Sequence, residues 1–310
     1  MPDKILATPR SFGKTDTTPI KLLEDAGYEV VLNPVGRILT EEEMIEYIAD
    51  VSGIIVGVDP LSSSVMASAN KLKAISKYGV GTDNIDLDEA KRLGIPVSIT
   101  KGANANAVAD FAFTLMCACA RKVTEIDAKC HNKDWGKVTT ADIYGKKLGI
   151  LGLGAVGKGL AKRAGGFEME ILAYDVYWDD DFAKERGIKY AEPEKIYKEC
   201  DFISVHMPLT KETQNWIGDK EFQLMKPTAI LINTARGGII DEDSLAKALH
   251  EKTIYAAGID TFSNEPPANE QLYKLPNLIM GSHCAASTQG AVSAMGMMAA
   301  ENLLQSLRKE

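Results

Sequence analysis

Residues 150–157 read I-L-G-L-G-A-V-G, an apolar strand pattern that runs directly into glycines at positions 152, 154 and 157. This spacing is typical of the turn between a strand and a helix that binds a dinucleotide. Gly152 permits the tight turn, Gly154 leaves room for a pyrophosphate, and Gly157 lets the helix pack closely on the strand. The stretch therefore predicts a nucleotide-binding α/β unit.

The helix that follows this turn offers its first amides, including those of Ala155 and Val156, to the phosphates. A second apolar stretch, residues 169–174, ends on Asp175, eighteen residues beyond Gly157. A carboxylate at this distance accepts the ribose hydroxyls and repels a 2′-phosphate, which favours NAD over NADP. A purely structural turn, or a methyltransferase that binds an adenosyl cofactor, can show the same glycines and acid.

Length and composition indicate an ordinary globular protein with two domains. The chain has 310 residues, more than one hydrophobic core normally serves. Hydrophobic residues make up 45% and charged residues 25%, and the net charge is −8. Such an acidic chain argues against a nucleic-acid partner, so an anionic substrate needs positive charge supplied locally by the site.

The sequence also argues against a membrane or secreted protein. Its first residues lead straight into a strand pattern without a signal peptide, and the longest apolar run, 111–120, is too short to cross a bilayer. The five cysteines follow neither a disulfide nor a metal-ligand spacing. We therefore expect a cytoplasmic protein with reduced thiols and no bound metal.

Short apolar runs alternate with helix patterns along the whole chain, which predicts an α/β protein with parallel sheets. The first half contains strand patterns at 4–8, 29–33, 53–57, 73–76 and 96–100 and helix patterns at 19–26, 41–49 and 86–93. The second contains strand patterns at 148–152, 169–174, 201–205, 228–232 and 254–259, and long helices are predicted at 104–122 and 287–307. We expect two doubly wound domains, flavodoxin-like and Rossmann-like, with a cleft between the carboxyl ends of their strands.

Several separated motifs resemble the D-isomer-specific 2-hydroxyacid dehydrogenases. They are I-L-G-L-G-A-V-G, H-M-P-L-T, N-T-A-R-G-G-I-I-D, D-T-F-S-N-E-P-P and S-H-C-A-A-S-T, in that order. K-Y-G-V-G-T-D-N-I-D and T-P-R-S-F-G are most similar to the phosphoglycerate-dehydrogenase-like branch. The resemblance implies a cofactor domain, 104–284, inserted into a substrate domain formed by 1–103 and 285–310. It also implies a homodimer built through the cofactor domains.

Hydride transfer to a 2-oxo acid needs a cation for the carboxylate, a proton donor for the carbonyl oxygen, and a group that tunes the donor. Arg236 can grip a carboxylate with two parallel hydrogen bonds. His283 can donate a proton near neutrality. Glu265 would favour the charged imidazole and fix its tautomer. These three match the catalytic Arg, Glu and His of the family.

The resemblance assigns further residues to cofactor and substrate. Cofactor contacts are expected from Gly152, Gly154, Ala155, Val156, Gly157, Asp175, His206, Pro208, Thr213, Thr234, Ala235, Arg236, Asp260 and His283. Asp260 would accept from the nicotinamide carboxamide. Substrate contacts are expected from Arg10, Lys77, Val80, Gly81, Asn104 and Arg236, with Arg10 and Lys77 meeting a substrate phosphate.

These residues favour an NAD-dependent oxidoreductase that acts on a D-2-hydroxy acid. The resemblance makes D-3-phosphoglycerate the expected substrate, with hydroxypyruvate or glyoxylate reduction as the alternative. An alternative from a different functional class is an NAD-sensing interaction protein, like the family's transcriptional corepressor. That relative has the same catalytic residues, so these residues do not distinguish the two functions. A methyltransferase has no use for Arg236, Glu265 and His283.

Overall fold

The structure is a computed structural model that describes residues 2–308. Its chain contacts divide the described residues into two compact units, one formed by residues 2–104 and 286–308 and the other by residues 105–285. We call them the first and the second unit. Both are open, wholly parallel α/β sheets, which confirms the predicted fold class.

The first unit alternates five strands with helices. The strands are β1 (Lys4–Ala7), β2 (Glu29–Leu32), β3 (Gly53–Val56), β4 (Ala74–Lys77) and β5 (Val97–Ile99), with helices α1 (Thr18–Asp25), α2 (Glu41–Ile48), α3 (Ser63–Ser68) and α4 (Leu87–Arg92). The sheet order β2-β1-β3-β4-β5 is flavodoxin-like, so the chain changes direction between β1 and β3. Ligands of such sheets bind at the carboxyl ends of the strands beside this point.

The second unit begins with two helices and continues as a seven-stranded sheet. Its helices are α5 (Ala105–Arg121), α6 (Val123–His131), α7 (Ala155–Gly165), α8 (Asp180–Arg186), α9 (Pro193–Glu199), α10 (Asp219–Leu224) and α11 (Glu242–His250). Its strands are β6 (Lys147–Leu151), β7 (Glu170–Tyr174), β8 (Lys189–Tyr190), β9 (Phe202–Val205), β10 (Ile230–Asn233), β11 (Ala256–Ile259) and β12 (Leu278–Met280). The order β12-β11-β10-β9-β6-β7-β8 places the change of direction between β6 and β9.

The central strands β3, β4, β9, β10 and β11 are buried along their whole length because helices cover both sides of each sheet. Along β10, Ile230 and Ile232 belong to one apolar cluster, whereas Leu231 between them belongs to the cluster on the other face. The final helix, α12 (Gln289–Leu307), packs in the first unit. Its Leu303 is fully buried, and a Cβ at Gly53 of β3 would lie 3.2 Å from that side chain.

Helix ends follow local capping chemistry. Thr40 and Glu43 form a capping box at the start of α2, and Asp86 accepts from the Glu89 amide at the start of α4. The structure adds α3 and β8, which the sequence did not predict. Both are short: α3 has six residues and β8 only two, so neither shows a full period of apolar residues.

Candidate active site

The glycine-rich turn joins β6 to α7 at the point where the second sheet changes direction. Gly152 has a φ of 101°, and a Cβ there would lie 2.7 Å from the backbone carbonyl of His206, which follows the neighbouring β9. A Cβ at Gly157 would lie 2.1 Å from the Gly152 oxygen. Both positions therefore exclude any side chain, and the turn, helix and neighbouring strand approach one another closely.

The middle of this turn is open. A Cβ at Gly154 would meet no atom within 4 Å. Among residues 2–308, the amides of Gly154, Ala155 and Val156 have no hydrogen-bond acceptor. Free amides at the N-terminus of an eleven-residue helix attract an anion, so the turn fits a dinucleotide pyrophosphate.

Asp175 stands at the end of β7 beside this turn. Its Oδ2 accepts from the Leu153 amide at 2.6 Å, and its Oδ1 accepts from the Tyr177 amide at 2.8 Å. These bonds hold the carboxylate against the glycine turn, where ribose hydroxyls of a dinucleotide bind in such folds. Asp179, Asp180 and Asp181 follow Asp175 in the sequence, and Asp179 forms an ion pair with Lys158.

His206 and Pro208 lie in the loop after β9, with Thr213 further along it. The His206 Nε2 is 2.8 Å from the hydroxyl of the fully buried Ser204. Burial of the ring lowers the pKa of His206 to about 3, so this imidazole is neutral at physiological pH. Thr213 donates from its hydroxyl to the Pro208 carbonyl at 2.7 Å, which fixes the loop.

Arg236 follows β10 in a turn that the Asn233 side chain organises. Asn233 donates to the Arg236 carbonyl at 2.8 Å and accepts from the Ala235 amide at 3.0 Å. The guanidinium Nη1 donates to the Ala235 carbonyl at 2.6 Å, and the buried Thr234 hydroxyl has no hydrogen-bond partner among residues 2–308. Asn233 was not among the predicted site residues, although an Asn at a strand end is a recognised turn signal.

His283 and Glu265 are brought together by two separate loops of the second unit. The His283 Nδ1 lies 2.9 Å from the Glu265 Oε2, and the two side chains are 35% and 30% exposed. Partial burial raises the pKa of Glu265, but the hydrogen bond from His283 and its charge outweigh this effect. The pKa of Glu265 is therefore below its usual value.

Asp260 holds the loop that carries His283. Its Oδ1 accepts from the Cys284 amide at 3.0 Å, its Oδ2 accepts from the Ala285 amide at 2.9 Å, and its backbone carbonyl accepts from the His283 amide. Asp260 is fully buried, and burial raises its pKa against the lowering effect of these amides. The expected contact of this carboxylate with the cofactor stays a prediction; its loop-holding bonds were not predicted.

The predicted substrate residues Val80 and Gly81 lie in a turn of the first unit, after β4. Among residues 2–308, the amides of Val80, Gly81 and Thr82 have no hydrogen-bond acceptor. Val80 is 46% exposed at the tip. Consecutive free amides of this kind can bind an anion when they point to a common centre.

The other three predicted substrate residues of the first unit differ in burial. Arg10 is exposed and Asn104 half-buried, whereas Lys77 is only 5% exposed. The Lys77 ammonium donates to the Gly57 carbonyl at 2.5 Å and to the Asn84 Oδ1 at 2.7 Å. Among residues 2–308 no group of His, Cys, Asp and Glu side chains is arranged to hold a metal ion, and no helix could span a membrane.

Comparison with known proteins connects this geometry to one family. The sequence model described as "D-isomer specific 2-hydroxyacid dehydrogenase, NAD binding domain" matches residues 113–285. A glyoxylate reductase from Thermococcus litoralis is 41% identical over 295 residues, which cover 92% of this chain and 89% of that enzyme. The crystal structure of D-lactate dehydrogenase from Aquifex aeolicus, complexed with NAD and lactic acid, is similar with a TM-score of 0.86 and 26% identity. The match covers 98% of this chain and 97% of that one.

These relatives correct the predicted substrate. The D-3-phosphoglycerate dehydrogenase of Methanocaldococcus jannaschii is 39% identical over 94% of this chain, but the match covers only 56% of that enzyme. Relatives named glyoxylate reductase, 35–41% identical, match over 84–92% of their length. The prediction of D-3-phosphoglycerate as the substrate is therefore wrong. A substrate phosphate near Arg10 and Lys77 was expected because of that substrate, so the reason for placing one there no longer holds.

Proposed function

We propose that this chain, which belongs to the D-isomer specific 2-hydroxyacid dehydrogenase family, reduces glyoxylate to glycolate. As a member of that family it is an NAD-dependent oxidoreductase. The observation that carries the choice of substrate is the near full-length similarity to enzymes named glyoxylate reductase. Hydroxypyruvate, which adds one hydroxymethyl group to the same 2-oxo acid, is the expected second substrate.

The second unit supplies the cofactor contacts. The free amides of Ala155 and Val156 would hold the pyrophosphate, and the Asp175 carboxylate would accept from the ribose hydroxyls. When bound, NADH supplies the hydride for the carbonyl carbon of the substrate. The negative charge of the Asp175 carboxylate disfavours the additional phosphate of NADPH.

Two features are suited to a substrate carboxylate. The amides of Val80, Gly81 and Thr82 form an anion site on the first unit. The Arg236 guanidinium of the second unit can form parallel hydrogen bonds with carboxylate and carbonyl oxygens and draw electron density from the carbonyl carbon.

His283 is the proposed proton donor for the carbonyl oxygen. Its Nδ1 is engaged by Glu265, so Nε2 is the ring nitrogen left to transfer the proton. The lowered pKa of Glu265 keeps that carboxylate ionised, so it can accept from Nδ1 while Nε2 carries the proton to be transferred. Reduction consumes this proton, and solvent returns it to Nε2 after the product leaves.

The test is NADH oxidation with glyoxylate, hydroxypyruvate, pyruvate and phosphohydroxypyruvate under identical conditions. We expect kcat/KM to be highest for glyoxylate or hydroxypyruvate and at least about tenfold lower for phosphohydroxypyruvate. Preferred turnover of pyruvate or of the phosphorylated acid would refute the proposed substrate. No turnover of any 2-oxo acid by protein that binds NADH would refute the proposed reaction.

A homodimer formed through the cofactor units is part of this proposal. Apolar side chains that follow α5 are exposed: Val123, Ile126, Trp135 and Tyr144, with Trp135 reaching 81%. Light scattering should give twice the chain mass, and Trp135→Ser combined with Ile126→Ser should shift it towards the single chain. The cytoplasmic location stays a prediction.

A further inference from the structure

Three polar side chains of the first unit are almost completely buried at the carboxyl ends of adjacent strands. Thr8 follows β1 and is fully buried, Asp59 lies beyond β3 and is 2% exposed, and Lys77 ends β4 and is 5% exposed. Burying a charged group costs free energy unless hydrogen bonds and opposite charge compensate. The hydrogen bonds of these three side chains therefore indicate which parts of the first unit they hold in place.

A hydrogen bond between the side chains of Lys77 and Asn84 joins the two ends of the segment formed by residues 78–83. Lys77 donates from Nζ to the Asn84 side chain at 2.7 Å, seven residues further on, and to the Gly57 carbonyl at 2.5 Å. Asn84 in turn donates to the Gly57 carbonyl at 3.1 Å and to the Asp59 carbonyl at 2.5 Å. Both ends of the 78–83 segment are thereby fastened to the loop after β3.

Asp59 fastens that loop to the rest of the sheet edge. Its Oδ2 accepts from the Thr8 hydroxyl at 2.5 Å, and its Oδ1 accepts from the Leu39 amide at 2.9 Å. The Thr8 hydroxyl also accepts from the Gly57 amide at 3.0 Å. The network thus extends from the change of direction between β1 and β3, where ligands of this fold bind, to Lys77.

The segment fastened in this way contains the anion site. Gly79 is held by a bond from its amide to the Thr100 hydroxyl at 2.8 Å, whereas the next three amides point to no acceptor within residues 2–308. The ends of the turn are therefore fixed and its tip is open, which is the arrangement of a preorganised binding loop.

We propose that Lys77, acting through Asn84 and Asp59, is a positioning residue that holds the amides of Val80, Gly81 and Thr82 ready for the substrate carboxylate. It is not itself a ligand of the substrate. This inference rests on the proposed function, because that function assigns the carboxylate to this turn. If the turn is already ordered before the substrate binds, binding loses no free energy in ordering it. The ordered turn therefore improves substrate affinity more than it changes the rate of the chemical step.

The test compares Lys77→Met, which keeps an unbranched side chain one atom shorter and removes the ammonium, with Lys91→Met, which removes an exposed lysine of α4. Asn84→Ala is the second, smaller disruption of the same network and gives the answer if Lys77→Met does not fold. Steady-state kinetics, NADH affinity and hydrogen exchange of the peptide covering residues 78–84 are measured for each.

We expect Lys77→Met and Asn84→Ala to raise KM for glyoxylate about tenfold or more while kcat changes less than about threefold. NADH affinity should stay the same, exchange in 78–84 should accelerate, and Lys91→Met should match the parent protein. An unchanged KM and unchanged exchange in a folded variant would overturn the proposal. So would a selective loss of phosphohydroxypyruvate relative to hydroxypyruvate, since that result would make Lys77 a ligand.

Failure of the proposed function gives a different pattern. If the parent protein prefers another 2-oxo acid, the same KM comparison is made with that acid and decides the role of Lys77. If it turns over none, the exchange of the 78–84 peptide still shows whether Lys77 and Asn84 hold the turn.

Discussion

His283 and Glu265 are joined by a hydrogen bond of 2.9 Å between Nδ1 and Oε2, although eighteen residues separate them in the chain. The bond reaches from the loop after β12 to the loop after β11. Its consequence is a fixed ring with one nitrogen occupied by an anion and the other available for proton transfer.

Replacing His283 with Gln should lower kcat for glyoxylate reduction by about 10²–10⁴, because the variant lacks a general acid. NADH affinity, measured by fluorescence titration, should fall far less than kcat, since the pyrophosphate and ribose contacts are intact. His250→Gln, at an exposed position at the end of α11, is the matched control and should retain parent activity. Equal kcat for the two variants would remove His283 from the mechanism.

Replacing Glu265 with Gln should make the stability of the protein depend less on pH in the acidic range. The folded-state pKa of Glu265 is lowered, so its ionised form stabilises the fold above the pKa of the unfolded chain. That contribution disappears as the pH falls through the folded-state value. The difference in Tm between parent and Glu265→Gln should therefore be larger at about pH 7 than at about pH 3. Glu270→Gln, which is exposed, should show no such trend, and a constant difference for Glu265→Gln would contradict the assignment.

Replacing Asp175 with Ala should reduce kcat/KM for NADH by about tenfold or more and narrow the preference for NADH over NADPH. The variant loses the acceptor for the ribose hydroxyls and one charge that repels a 2′-phosphate. Asp181→Ala, an exposed neighbour on α8, controls for the change in net charge alone. If both variants behave alike, Asp175 has no specific part in cofactor selection.

His206 should make the protein less stable in mild acid. Because burial lowers its pKa to about 3, the unfolded chain binds a proton at His206 between about pH 6.5 and 3 that the folded chain does not. The resulting loss is at most about 1.4 kcal/mol for each pH unit below 6.5. His206→Gln should lose less Tm than the parent protein between about pH 7 and 5. The same loss in both proteins would mean that His206 gains its proton without unfolding.

Much of this architecture could be predicted because its signals are local in sequence. Apolar runs bounded by turns predicted the strands of both sheets, and capping residues such as Thr40 and Asp86 indicated where helices begin. The spacing of Gly152, Gly154 and Gly157 identified the turn that joins β6 to α7. The short α3 and β8 escaped prediction because contacts with neighbouring elements, and not their own periodicity, stabilise them.

The sequence by itself determined the parallel α/β class, the dinucleotide turn and the residue types of the chemistry, since each depends on short-range pattern. Only the tertiary structure decided what the polar side chains do at the strand ends. In the folded protein Lys77 donates hydrogen bonds to Gly57 and Asn84, and both carboxylate oxygens of Asp260 accept from amides of the loop that carries His283. The physical reason is that a hydrogen bond is fixed by position in space, and the partners of these groups lie between 7 and 25 residues away along the chain.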